Sequence, residues 1–312
     1  MGPSRLRVLI GGLWIANLYY WGFNQYIIQR TLAAKSLRES QKGIVLAAFL
    51  KILIPLIVVL PGIVAFVINS GPEGTISETY TDASFFAEGG RIINDNAAPW
   101  LINEFVPVGL KGLVLAALSA AIVSSLASML NSTATIFTMD IFKPYFGKNA
   151  SEQKLVNVGR GSAALALIIA VILAPQLKNL GQVFQYIQEY TGIVSPGILA
   201  VFLLGLFWKK TTNRAAIWGV VMSIPIAFYF KIAPNGWSES PFFLNLPFLD
   251  QMLYTCILTI IVMVLISYWQ FGGENHPKAI NIKKGMFKTE PVFNICSFLV
   301  CLILAMLYAL FW

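Results

Sequence analysis

Charge is what this sequence has least of: Asp, Glu, Lys and Arg make up 12% of its 312 residues, against 57% hydrophobic residues. With a mean hydropathy of +0.72, a single water-soluble core cannot hide that much apolar surface, which excludes an ordinary soluble domain. Histidine occurs once, as His276 in a polar stretch beside Pro277, so histidine-based catalysis or metal binding has little to work with. Cys256, Cys296 and Cys301 all fall in apolar runs without metal-like spacing and read as small core residues, excluding a disulfide framework or a zinc site. There is no Walker-type glycine loop, hence no ATP chemistry. No acid/base or nucleophile constellation converges either, so the chain does not read as an enzyme. Acids are scarcer than bases, 14 against 22. The bases are scattered through short connecting segments, so they read as topology charges facing the cytoplasm and not as a nucleic-acid footprint.

What is present is a series of apolar runs, each near the ~20 residues that cross a bilayer. Eight spans are expected, at 7–28, 43–69, 108–137, 155–177, 180–208, 214–233, 249–270 and 292–312. The first run is too long, and lacks the small-residue cleavage pattern, for a signal peptide. Lysine and arginine alternate through the connections. The first holds Arg30, Lys35, Arg38 and Lys42, the third Lys143, Lys148, Lys154 and Arg160, the fifth Lys209, Lys210 and Arg214, and the seventh Lys278, Lys283, Lys284 and Lys288. The second, fourth and sixth hold Arg91, Lys178 and Lys231 alone. The odd connections are therefore expected in the cytoplasm and both termini outside. An exterior start a few residues before a span is expected to follow further helices upstream; the alternative is a genuine N-out protein. In the long outer connection at 70–107, Glu88 to Asn94 is expected as a short surface helix, either a lid over an entrance or a plain link.

The first span is the least ordinary. Gly11, Gly12, Asn17, Tyr19, Tyr20, Trp21, Gly22, Asn24 and Gln25 interrupt its middle. Lipid cannot hydrogen-bond amides or hydroxyls, so such a stretch lines a cavity or a loosened piece of backbone. In the third span Ala121, Ser124, Ser125, Ser128 and Ser132 share one helical face. Two readings compete there: close helix packing through small residues, or uncharged oxygen ligands for a hard monovalent cation such as sodium. Lys51 lies roughly 13 Å from the cytoplasmic end of its span by the helical rise, where it either snorkels, pairs, or meets a solute hydroxyl. Gln182, Gln185, Gln188 and Glu189 line the outer half of the fifth span, with Phe184 and Gln188 on one face, and suit a neutral polyhydroxylated solute. Pro196-Gly197 and Pro61-Gly62 are read as loosened mid-span positions, hinges or passive kinks.

The runs Asn17 to Ser36, Phe49 to Lys51, Ala121 to Asp140, Gln185 to Tyr190 and Phe202 to Lys210 resemble sodium/glucose cotransporters of the solute:sodium symporter family, over nearly the whole chain. The resemblance implies an all-α polytopic membrane protein built as the second half of a leucine-transporter-type five-plus-five inverted repeat. Residues 1–210 would form that repeat and residues 211–312 three peripheral helices. It also implies roles: Asn17, Trp21, Lys51 and Gln188 at the sugar, Tyr20 as inner gate, Phe184 as outer gate, and Ala121, Ser124 and Ser125 at a co-transported sodium ion. The implied activity is sodium-coupled hexose symport across the lipid bilayer, with the family's first repeat as an expected partner from the same protein. Symport of another organic solute (amino acid, vitamin or inositol) and a non-transporting membrane fragment are the alternatives.

Overall fold

The computed structural model describes residues 11–69, 87–88, 91–92, 94–177, 183–236, 246–272, 274–283 and 285–311. Seven helices among the described residues are long and apolar enough to cross a membrane, running over Leu37–Asn69, Val108–Tyr145, Glu152–Leu177, Tyr186–Phe207, Asn213–Lys231, Phe248–Gln270 and Pro291–Leu310. They match seven of the eight expected spans. The expected first span differs because its described part is broken. The chain divides into two compact units, Met1–Ile28 with Phe184–Lys288, and Gln29–Val183 with Thr289–Trp312.

In the first unit, α1 (Leu13–Leu18) opens into a π-helical turn at Tyr19–Phe23. Asn24 then leaves helical geometry (φ −83°, ψ 117°), and α2 (Gln25–Leu32) begins beyond it. The loosened backbone expected from Asn17 to Gln25 is present. Ile15 anchors α1 in a core with Leu199, Ala200, Ala215, Met252, Cys256 and Met263. These come from helices that we number after those of the second unit: α9 (Val183–Phe207), α10 (Asn213–Gly236) and α11 (Phe248–Phe271). Lipid offers helices no hydrophobic drive to associate, so close approach through small residues does the work. A Cβ on Gly12 would lie 2.0 Å from the Leu249 carbonyl oxygen, which only glycine permits. Buried threonines on α11 satisfy themselves one turn back: Thr255 donates to the Gln251 carbonyl and Thr259 to the Thr255 carbonyl, both at 2.7 Å.

The Pro196-Gly197 pair does not open α9, which runs unbroken from Val183 to Phe207. A Cβ on Gly197 would meet the Ser223 Oγ at 2.0 Å, so the glycine permits the close α9–α10 contact.

The second unit holds α3 to α8 and α12. Helix α3 (Leu37–Ile52) starts on an N-cap in which the Ser36 Oγ accepts from the Glu39 N–H at 3.3 Å. The helix does loosen in this span, but ahead of Pro61-Gly62. It ends at Ile52 and passes through a π turn at Pro55–Val59 before α4 (Leu60–Asn69), because Pro55 lacks the N–H that would continue the ladder. Ala65 and Trp100 bury the contact between α4 and α5 (Ala97–Phe105).

The helix expected at Glu88 to Asn94 is absent. Ala87–Glu88 (β1) pairs antiparallel with Arg91–Ile92 (β2), and the helix starts later, at Ala97. Gly89-Gly90 in the sequence explains this, since each glycine costs a helix about 1 kcal/mol. Residues 70–86, 89–90 and 93 of this connection lie outside the described residues.

Helix α6 (Val108–Ile136) continues through a π segment at Phe137–Phe142 into α7 (Lys143–Tyr145), followed by α8 (Glu152–Leu177). The last helix, α12 (Pro291–Phe311), is tied to α3 by the Glu290 N–H donating to the Gln41 Oε1 at 3.1 Å. Of the three cysteines only Cys256 is a core residue; Cys296 is half-buried and Cys301 exposed on α12, a face that needs no burial in lipid.

Candidate functional site

The break at Tyr19–Phe23 determines what the first span presents. Asn17 sits on the last turn of α1 with its Nδ2 donating to the Leu13 carbonyl at 2.9 Å, which leaves its amide oxygen on an exposed surface. Trp21 follows within the π turn and is 44% exposed, a large indole left open on the surface. Tyr20 packs edge-on against Trp21, with centroids 5.3 Å apart and planes at 82°, and against Tyr26 at 5.9 Å and 77°. The Tyr20 and Tyr26 hydroxyls are hydrogen-bonded to each other across the extended Asn24. Phe23 stacks on Phe202 of α9 at 4.7 Å, holding the far side of the break to the helix bundle. Asn17, Tyr20 and Trp21 are thus brought together on one irregular piece of backbone. Tyr26 was missed by sequence reasoning, although its spacing of six from Tyr20 becomes a contact only once the π turn and Asn24 are known.

On α9, Gln188 is exposed, and among the described residues it makes no hydrogen bond. One turn on, Gly192 faces Met252 of α11, where a Cβ would lie 3.2 Å from the sulfur. Gln188 therefore stands one turn before α9 becomes packed. The Phe184 backbone begins α9, but its side chain is outside the described residues, as are those of Gln182 and Gln185.

Glu189 does not belong with the amides. Its Oε2 pairs with the Lys231 Nζ of α10 at 3.1 Å, both side chains about a quarter exposed. The same ammonium lies 4.3 Å from the Tyr190 ring centroid and 5.6 Å from that of Tyr186. An ion pair closed over two tyrosine rings is a strut between α9 and α10, with Glu189 turned about 100° round α9 from Gln188. The signal was present in the sequence: Glu189 is the only acid of its span and Lys231 the only base of the following outer connection.

In the second unit the serine stripe of α6 is divided. Ser132 is buried. Ser128 donates to the Ser124 carbonyl at 3.1 Å and accepts from the Arg30 guanidinium. Gln29 adds bonds to the Ser128 carbonyl at 3.3 Å and to the Asn131 amide at 3.2 Å. The inner part of the stripe is thus a packing and anchoring surface, and Arg30, which the sequence offers as a topology charge, is one of its anchors. Ala121, Ser124 and Ser125 are exposed. Ser119, Thr133 and Thr135 each donate to the carbonyl one turn back, whereas the Ser124 and Ser125 hydroxyls make no such bond among the described residues. Lys51 lies in the last turn of α3, exposed, one turn before the Pro55 break. Among the described residues no group of three or more His, Cys, Asp or Glu could hold a metal ion, so any cation held here would need neutral oxygens.

Irregular backbone within a membrane-length apolar run, and neutral hydroxyls left open on α6, are features of a multi-pass solute carrier. The chain belongs to the sodium:solute symporter family, whose model matches residues 5–223. It is 57% identical to a sodium/glucose cotransporter of Vibrio parahaemolyticus, over all of this chain and 55% of that protein. It is 36% identical to the sodium/myo-inositol cotransporter 2 of Oryctolagus cuniculus over 70% of this chain and 32% of that protein. It is 34% identical to the human sodium/glucose cotransporter 4 over 83% of this chain and 39% of that protein. The chain spans between about a third and about half the length of these relatives.

Proposed function

We propose that this chain is the second repeat, with its peripheral helices, of a leucine-transporter-type symporter that couples sodium entry to hexose uptake. Residues 1–210 form the repeat and residues 211–312 the three peripheral helices. Asn17, Trp21, Lys51 and Gln188 bind the sugar: the amides and the ammonium answer its hydroxyls, and the indole covers an apolar ring face. Tyr20 closes the inward exit and Phe184 the outward one. Ala121, Ser124 and Ser125 hold the sodium ion, through a backbone carbonyl and two hydroxyls. Sodium binding favours the outward-open state, sugar binds, and both leave to the cytoplasm as the gates exchange. The membrane potential contributes about 2.3 kcal/mol per charge per 100 mV.

The observation that carries this reading is the break of the first span at Tyr19–Phe23, which concentrates Asn17, Tyr20 and Trp21 at one irregular point. A second reading, a cyclic polyol as solute, is favoured by the relatives named for myo-inositol. Competition against labelled galactose uptake by the full-length protein decides between them. Unlabelled glucose should displace the label at far lower concentration than myo-inositol; the reverse order moves the preferred substrate to polyols, and displacement by proline at lower concentration than either moves it to amino acids.

A further inference from the structure

Between α9 and α11 runs a groove of about 490 Å³ lined by Leu203, Leu204, Phe207, Trp208, Val264 and Tyr268. Every lining side chain is apolar or aromatic, and Phe207 and Tyr268 are about half exposed. One end is aliphatic and the other is not. Trp208 and Tyr268 stand 5.8 Å apart, and the Lys210 Nζ is held 5.3 Å from the Tyr268 ring centroid. Leu203 lies within α9, whereas Trp208 and Lys210 lie just past its end at Phe207, so the groove passes from hydrocarbon-like walls to an aromatic and cationic mouth. Tryptophan and tyrosine occupy that level at membrane interfaces.

Lys210 is the base held at the mouth, and two more bases flank it in the sequence. Lys209, Lys210 and Arg214 fall in a stretch with no Asp or Glu from Tyr190 to Ser238. The following cytoplasmic connection closes over it: the His276 N–H donates to the Lys209 carbonyl at 2.8 Å, and Phe287 stacks on Phe207 at 6.3 Å. That connection carries Lys278, Lys283, Lys284 and Lys288 against Glu274 and Glu290. A soluble anion would use these charges but not the aliphatic trough below them. A neutral lipid would use the trough but not the charges.

We propose that this groove binds one anionic phospholipid of the cytoplasmic leaflet, with an acyl chain against Leu204 and Val264 and the headgroup phosphate at Lys210. The Lys210 ammonium, already positioned by the Tyr268 ring, supplies a charge-assisted bond to the phosphate. Lys209 and Arg214 add field strength, as basic pockets beside membrane helices do. The site shares no residue with the proposed solute and sodium sites, and its test does not depend on transport.

The full-length protein, purified and exposed to equal amounts of phosphatidylglycerol and phosphatidylcholine, is read by native mass spectrometry for lipid adducts. The wild type should retain phosphatidylglycerol in preference. Lys209→Gln with Lys210→Gln should lower that preference about fivefold or more and leave phosphatidylcholine retention unchanged. Val264→Trp, or the smaller plug Leu204→Phe, should lower retention of both lipids. Equal retention of the two lipids by the wild type, a preference that survives the double glutamine variant, or full retention by both plugged variants overturns the proposal.

Discussion

Replacing Gly197 by alanine separates a packing role from a hinge. The added carbon would lie 2.0 Å from the Ser223 Oγ and 2.4 Å from the Ser223 Cβ, where ordinary contact begins at 3.4 Å. The hydroxyl can rotate away, at the cost of its 2.8 Å bond to the Val220 carbonyl. The Cβ cannot, so α9 and α10 must part by about 1 Å, a strain that costs about 1–3 kcal/mol in a packed interface. Ser223→Gly removes the obstructing atoms, with its own helix cost of about 1 kcal/mol. In the full-length protein, thermal unfolding of the four members of this cycle should show Gly197→Ala strongly destabilising alone and nearly neutral beside Ser223→Gly. The expected coupling is about 1–3 kcal/mol, well above the few tenths seen between independent sites. If Gly197→Ala slows transport equally in both backgrounds while leaving unfolding unchanged, the glycine acts as a hinge and the reasoning fails.

Four further outcomes are expected in the full-length protein. Ser125→Ala should raise the sodium concentration needed for half-maximal uptake several-fold, with sugar affinity at saturating sodium nearly intact; unchanged sodium activation removes Ser125 from the ion site. Lys51→Ala should weaken sugar binding about tenfold, the scale of a hydrogen bond to a charged group, and normal binding would return Lys51 to snorkelling. Tyr20→Ala loses two edge-on aromatic contacts, each about 0.5–1.5 kcal/mol, and should speed sugar escape to the inside; an unaltered release rate counts against a gate. Lys231→Met and Glu189→Gln should each cost about 1–2 kcal/mol in unfolding measurements, from an ion pair and cation–π contacts in partial exposure. The double variant should cost little more than either single one, and fully additive losses would contradict the strut.

Periodicity and hydropathy made the spans legible, because length and apolarity are what a bilayer selects. The first span was legible in a different way: Asn17 to Gln25 is too polar for lipid, and the backbone gives way there, at Tyr19–Phe23 and Asn24. Proline was a poorer guide. Pro196 sits inside an intact helix, while Pro55 marks a real interruption next to Lys51. The difference lies in whether neighbouring helices hold the chain straight, which no local pattern states. The serine stripe of α6 showed its face but not its division between Arg30-bound Ser128 and open Ser124 and Ser125, since the dividing partner comes from a helix about a hundred residues earlier. In the sequence Glu189 is one more polar group beside Gln188, and only the ring-covered ammonium of Lys231 shows that it is spent on the contact with α10.

The central claim is that sodium flow drives sugar accumulation, and proteoliposomes of the full-length protein test it most directly. With an inward sodium gradient and an interior-negative potential, labelled galactose should rise above its external concentration. One coupled ion supports about 50-fold accumulation per 100 mV, and potassium in place of sodium should abolish the rise. Galactose that only equilibrates, at the same rate in sodium and potassium, would contradict the account.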